Sequence, residues 1–527
     1  MIFGLAIFCF ATAPWALGQK VHEQMSAEQV SAIFKTTHDS VPDYEVVQFH
    51  EPRLRKRDSE EPENLVAKVF GDDVRLWLKP VEGVLAGQST PVYSAKIDPW
   101  NGEVVYRELP AAMTRVGQLL EDPVKRASLV ARTTAKGRLA YSGFIGAYDL
   151  VVKPLPESIA DDLGKNASSH GPESSEHRKS TYHVVYKRHA RDLDEVLGSI
   201  RTVDERKASP EAFTRNVRPI PAVVYPEVMV VVDYELFRMH KYDVDEVLVY
   251  TLAFWNGVDL LYRSFDEPKF RFNIARVIIS MEREATPYLT NNMYNAILVD
   301  AFEAHAAALE YYYSVLNVFP ATSYDAVVTM TGLEMTDGNG QPNTLGVALN
   351  GGACFVDHFR KTVGSAALST DDGTFHGVAT TAHEFAHLLG STHDNGAACE
   401  ADAGYIMAPN SGVTENAHDF SQCTVTAIAT FLSRNGGVCF YNEPAVRNPL
   451  PRGLLPGLLS DRDHQCKKMG NGGSCYTGAS WQLPCSAAYC YDLQAPNRCY
   501  KYTSQAPPDG ASCAVGKVCV HGKCLAL

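Results

Sequence analysis

Residues 377–394 read GVATTAHEFAHLLGSTHD, which places His383 and His387 four residues apart in a run of helical character. At that spacing both imidazoles share one helix face, one turn apart, and can hold a common metal ion. Glu384 follows the first histidine, where it can reach the metal's inner sphere without being a ligand. Gly390 supplies the backbone freedom that ends the helix, so the chain can fold back and offer His393 as a third nitrogen. Three neutral nitrogens and one open position describe a catalytic zinc site. The chemistry of such a site is hydrolysis: the metal lowers the pKa of a water and a neighbouring carboxylate takes its proton. His240, His305, His376 and His418 lack partners at ligand spacing and are expected to be structural or surface residues.

The elements that must position this segment are legible as alternating periodicities. Residues 228–232 form a buried-strand run, 244–261 have helical spacing and 272–281 are strand-like; a second long helix is expected at 294–316 and a strand at 326–331. Such alternation predicts an α/β domain. The run Leu345-Gly-Val-Ala-Leu349 reads as a further strand. Upstream, residues 19–191 hold no cysteine and contain β-rich runs such as 65–78 and 92–97, which suggests a β-rich unit with a flexible tail. Asn166, in Asn166-Ala167-Ser168, is a glycosylation acceptor within the polar stretch 165–180, expected to be an exposed loop. Basic clusters at Arg188-His-Ala-Arg191 and Arg215-Asn-Val-Arg218 flank a charged connector and suit a processing protease, placing a boundary within 191–218.

At 527 residues, 45% apolar and 21% charged, the chain is long enough for two to four globular units. The 48 basic and 61 acidic side chains give a net charge of −13, which works against nucleic acid as a partner. Residues 1–17 carry no charge and read as a secretory signal ending near residue 18, shorter than the ~20 apolar residues of a spanning helix. No later stretch is long enough to span a membrane either. Removing that leader removes Cys9 and leaves twelve of the 13 cysteines, all between Cys354 and Cys524; disulfides and a secreted product are the resulting expectation. Residues 445–460, rich in Pro, Gly and Leu, read as a linker, and the eight cysteines beyond it must staple a small tail. Their connectivity is open, since eight cysteines allow about 105 pairings. No Gly-X-Ser-X-Gly occurs, which removes a serine hydrolase from consideration.

The motif from His383 to His393, followed by Tyr405-Ile-Met407-Ala-Pro, resembles a metzincin metalloprotease with its Met-turn. Asp394 directly after the third histidine resembles the reprolysin (adamalysin/ADAM) branch, as do Glu227-Val-Met-Val-Val-Val-Asp233 and Cys439-Phe-Tyr-Asn442-Glu-Pro444. The tail, from Asp461 through Cys524, is similar to the disintegrin-like module of ADAMTS proteases, and the layout as a whole to secreted arthropod salivary metalloproteases. The resemblance implies an α/β metzincin catalytic domain, a mixed sheet with long helices and a zinc helix, between a β-rich propeptide and a small disulfide-rich C-terminal domain. The implied boundaries are 1–18 for the signal, 19–218 for the propeptide, 219–444 for the protease, 445–460 for the linker and 461–527 for the tail.

The same likeness implies a zinc metalloendopeptidase with His383, His387 and His393 as ligands and Glu384 as general base. It pairs Cys354 with Cys439 and Cys399 with Cys423, lays Met407 beneath the zinc as an apolar floor and buries Asp394 beside it. It makes 345–349 the upper edge of the substrate cleft and Pro409 to Val413 the wall of the specificity pocket. It also implies a calcium ion held by Glu227, Asp325, the Cys439 carbonyl and Asn442, all oxygen donors suited to a hard cation. Extracellular proteins of matrix or plasma, such as fibrinogen, are the implied substrates, and a monomer is expected. The tail lacks Arg-Gly-Asp, which speaks against integrin binding. With no cysteine between Gln19 and Ala353, latency through a propeptide thiolate is excluded, and occupation of the cleft, sterically or with another ligand, is the expected alternative. The rival reading is a catalytically silent secreted protein that acts on adhesion or clotting through its tail.

Overall fold

The computed structural model describes residues 20–50, 63–81, 84–134, 136–167, 180–188, 218–409, 414 and 416–444, together with short stretches around the paired cysteines of 461–527. The signal, the linker, the connector 189–217 and most of the expected pocket wall Pro409 to Val413 lie outside the described residues, Pro409 excepted.

Seven strands form the central sheet, in the order Gly346–Ala348, Ala366–Thr370, Ala326–Thr331, Glu227–Val232, Asn273–Ser280, Val92–Ile97, Val104–Glu108. The five inner strands are mutually parallel and the two outermost run antiparallel to their neighbours. Parallel strands are covered on both faces, which is why residues 228–232 read as an unbroken apolar run. Alternate side chains divide between two layers. Val228, Val230 and Val232 face the helices Val244–Tyr262 and Gly377–Leu388, whereas Met229 and Val231 face the helix Ala301–Ser314.

Two of these strands arrive from upstream. Val92–Ile97 pairs in parallel with Asn273–Ser280, so part of the expected β-rich unit is built into the catalytic sheet and the boundary near residue 218 does not coincide with a boundary in that sheet. The sequence shows each strand but not its partner, because pairing is set by packing between distant segments. The other strands of residues 20–188 form an eight-stranded antiparallel sheet, in the order Tyr44–Gln48, Tyr182–Lys187, Leu150–Pro154, Leu139–Ile145, Ala127–Thr133, Gln118–Asp122, Asp72–Pro80, Glu63–Val69. Its ends approach each other through the His50–Val66 bridge. One face has its own core, around Leu76, Leu129 and Val152, and the other shares a continuous core with the catalytic helices.

Two expectations are corrected. The helix expected at 294–316 runs Ala301–Ser314, preceded by the short strand Leu298–Asp300, because the Asp300 carboxylate accepts from the Phe302 and Glu303 amides and starts the helix there. Asn166 lies in the helix Glu157–Ala167 rather than in a loop. Arg188, in the first basic cluster, donates through its guanidinium to Asp149 at 2.6 Å and to the Phe375 carbonyl at 2.9 Å.

His305 and His240 are buried, as structural histidines should be. Burial holds the His305 ring down at about 4, partly offset by its hydrogen bond to the Ala366 carbonyl at 2.9 Å. Between that value and the ordinary ~6.5 the unfolded chain binds more protons than the folded one, so stability is full above pH ~6.5 and falls as pH is lowered. In urea titrations, wild type should lose about 3 kcal/mol more than His305→Gln between these two limits. Equal pH slopes for the two proteins would refute the assignment.

Candidate metal centre

The three histidines of the motif meet. Their Nε2 atoms lie 3.0 Å (His383 to His387), 3.2 Å (His387 to His393) and 3.1 Å (His393 to His383) apart. His383 Nδ1 faces the Ile406 carbonyl at 2.6 Å and His387 Nδ1 faces the Ser391 carbonyl at 2.7 Å. A carbonyl only accepts, so both Nδ1 atoms carry the proton and both Nε2 atoms present lone pairs toward the common point. Burial lowers the pKa of all three rings, His387 to about 3, which keeps them neutral. Lone pairs this close repel unless a cation lies among them. Zn–N bonds of ~2.0–2.1 Å at tetrahedral angles separate ligand atoms by about 3.3 Å, so the triangle fits zinc.

Local sequence explains how the triangle is closed. The helix Gly377–Leu388 starts where Asp371 Oδ1 accepts from the Gly377 amide at 2.9 Å, and Asp371 is itself held by the Tyr250 hydroxyl at 2.5 Å. At the other end Gly390 takes φ +84°, its amide bonds the His387 carbonyl and the Ser391 amide bonds the Ala386 carbonyl. This pair of reverse bonds is the Schellman stop, and it returns the chain so that His393 meets the helix face.

Glu384 is completely buried on the same helix, and among the described residues neither of its carboxylate oxygens has a hydrogen-bond partner. Burial pushes its pKa well above the ordinary carboxylate range. Such a group is costly unless a partner completes it, and a cation with its water beside the histidines is the partner this donor set implies. Met407 is fully buried; its carbonyl accepts from the Asp394 amide at 2.8 Å, and Asp394 Oδ1 accepts from Ser421 at 2.7 Å. Cys354 pairs with Cys439 and Cys399 with Cys423. In the tail the open connectivity resolves as Cys466–Cys490, Cys475–Cys499, Cys485–Cys519 and Cys513–Cys524.

The four expected calcium donors come from three distant segments that meet. Asp325 Oδ2 accepts from the Glu227 amide at 2.8 Å, and Asn442 donates to Glu227 Oε2 at 2.6 Å. The Asp325 carbonyl accepts from the Cys354 amide, whose side chain is bonded to Cys439. Burial pushes Asp325 up to about 8, and the nearby Glu227 charge adds to the rise.

Four contributors at the site are not legible as motif residues. The carbonyls of Ile406 and Ser391 orient the rings, and a carbonyl leaves no mark in residue type. Asn350 donates to the same Ser391 carbonyl at 2.7 Å. Gly346 left a signal: a glycine inside a strand marks a close approach, and a Cβ there would stand 2.5 Å from Glu384 Oε1.

Residues 224–444 match the reprolysin (M12B) family of zinc metalloproteases, and residues 456–525 match ADAMTS cysteine-rich domain 2, in keeping with the ADAMTS-like, cysteine-rich tail expected there. The chain is 32% identical over 525 residues to a Bombyx mori protein described as "A disintegrin and metalloproteinase with thrombospondin motifs like", covering 89% of this chain and 74% of that one. It is 26% identical over 313 residues to venom metalloproteinase 3 of Eulophus pennicornis, 58% of this chain and 68% of that one. With the mouse protein "A disintegrin and metalloproteinase with thrombospondin motifs 13" it shares 26% identity over 336 residues, 59% of this chain but 22% of the relative. The histidine triangle and these likenesses agree: the chain belongs to the reprolysin (M12B) family and is a zinc metalloendopeptidase with an ADAMTS-type cysteine-rich tail.

Proposed function

We propose that this chain is a secreted endopeptidase that hydrolyses extracellular proteins of matrix or plasma, fibrinogen among them, with Glu384 as general base. The observation that carries the reading is the convergence of three neutral histidine nitrogens beside a buried carboxylate that has no other partner. Twelve cysteines joined in six pairs fit an oxidising compartment, and among the described residues no helix is long and apolar enough to cross a membrane.

His383, His387 and His393 would hold the zinc, which supplies a lowered water pKa and a polarised substrate carbonyl. Glu384 takes the proton of the attacking water at a carboxylate oxygen and returns it to the departing amine. Burial raises its basicity, and a cation held by the histidines would favour its ionised form. The Asp394–Ser421 pair and Met407 hold the turn whose Ile406 carbonyl orients His383. Gly346–Ala348 closes one end of the sheet directly above Glu384, so an extended substrate can add to it as a further strand through main-chain bonds. Gly346 lets that strand lie close enough for the scissile bond to reach the carboxylate.

Glu384→Gln should retain one equivalent of zinc by metal analysis while hydrolysis of a quenched peptide drops at least ~10²-fold. Substantial activity in that protein would remove Glu384 from the mechanism, and full zinc with no hydrolysis in wild type would favour the silent binding protein. Gly346→Ala should also keep zinc and fold but lose about 10-fold or more in kcat/KM, because the added carbon displaces the base from a position held to ångström precision. Unchanged kcat/KM would show that the close approach is not needed.

Glu227, Asp325, Asn442 and the Cys439 carbonyl form the proposed calcium site. A carboxylate raised by burial and a like charge is relieved by a bound cation. Calcium at 100 times its dissociation constant should add about 2.7 kcal/mol of stability, seen as a raised Tm that Asp325→Asn abolishes. A Tm insensitive to calcium in wild type would dismiss the site.

A further inference from the structure

We infer that residues 20–188 are a lasting structural partner of the catalytic unit: when the chain is cut between Arg188 and Arg218 they stay bound, and the processed enzyme is a non-covalent two-chain complex. The contacts that hold them are of three independent kinds.

The first is main chain. The amides of Ile274, Val277 and Met281 donate to the carbonyls of Leu85, Pro91 and Ala95 at 2.7, 3.0 and 2.9 Å. Releasing the upstream segment would strip the edge of a parallel strand that needs cover. The second is apolar. The helix Val244–Tyr262 is buried on every side from Val247 to Tyr262, so no face of it is made for water. Phe144 fills the notch at Gly257, where a Cβ would stand 2.5 Å from its ring, and packs on Phe375 with ring centres 4.9 Å apart. Across the sheet, Tyr93 and Tyr106 meet Phe319 edge-on at 5.4 and 4.8 Å. The third is charge. Arg263 grips Glu121 at 2.7 and 3.0 Å, and Arg115 holds Asp245 at 2.9 Å.

A strand ladder, a dry core and paired charges together are the make-up of an obligate interface rather than of a transient one. Arg188, tied to Asp149 and Phe375, anchors the last described residue before the connector, so a cut beyond it leaves every one of these contacts in place. Among the described residues, no hydrogen bond or ring contact of 20–188 reaches Glu384 or the three histidines. Retention therefore belongs to the architecture and does not depend on the site.

The full chain, with a site-specific protease sequence placed in the connector, is cut to completion and passed over gel filtration at high salt. Both fragments should elute together at the position of the intact chain, yet separate in detergent without reductant, since no cysteine lies between Gln19 and Ala353. The Ile274, Val277 and Met281 amides should exchange as slowly after the cut as before it. An N-terminal fragment in its own peak, with the catalytic fragment soluble and those amides newly exchanging, overturns the inference. In the cut protein Phe144→Asp should lower the urea concentration at which the fragments part. Phe144→Ala serves the same comparison where the first variant does not fold, and an unchanged midpoint counts against the interface. None of these readouts uses hydrolysis, so they stand or fall apart from the proposed protease mechanism.

Discussion

Three lone pairs held about 3 Å apart are the constraint that orders the rest of this molecule. Neutral imidazoles do not gather this way unaided, because each brings partial negative charge toward the others. The protein holds them by fixing the far side of the rings. Backbone carbonyls of Ile406 and Ser391 take the Nδ1 protons, which settles the tautomer and aims Nε2 inward. Glu384 meets the same demand from another direction, as a carboxylate withheld from water and from protein donors.

Rigidity at the site comes from how the helix Gly377–Leu388 is tied at both ends. Asp371 caps its start and is clamped by Tyr250 from the long helix, while the reverse turn at Gly390 packs on Phe431. The Tyr262 hydroxyl also donates to the Ala382 carbonyl at 2.9 Å. The long helix is thus the common support of the helix Gly377–Leu388 and of the turn before it. It is itself supported by strands from the first third of the chain, so the placement of the histidine triangle reaches back to residues such as Phe144 that lie far from it in sequence.

The shared core also changes how the upstream region is understood. That region supplies two strands of the central sheet and one wall of its helical layer. Parallel pairing across so long a stretch of chain is slow to find and needs both partners present. An upstream unit carrying its own core, around Leu76, Leu129 and Val152, is suited to form first and offer an edge to the catalytic strands downstream.

The sequence alone determined the chemistry and most of the elements. Histidine spacing on a helix, a glycine stop and a β-rich apolar run are local properties, encoded in adjacent residues and governed by helix and strand geometry. The start of the helix at Ala301 is set by the Asp300 carboxylate, a capping residue type present in the sequence. Tertiary structure decided the rest. Ring orientation depends on carbonyls that every residue type possesses. The partner of Val92–Ile97 and the pairing of the tail cysteines depend on which distant segments pack together, because main-chain hydrogen bonds and disulfides carry no address in the residues that make them.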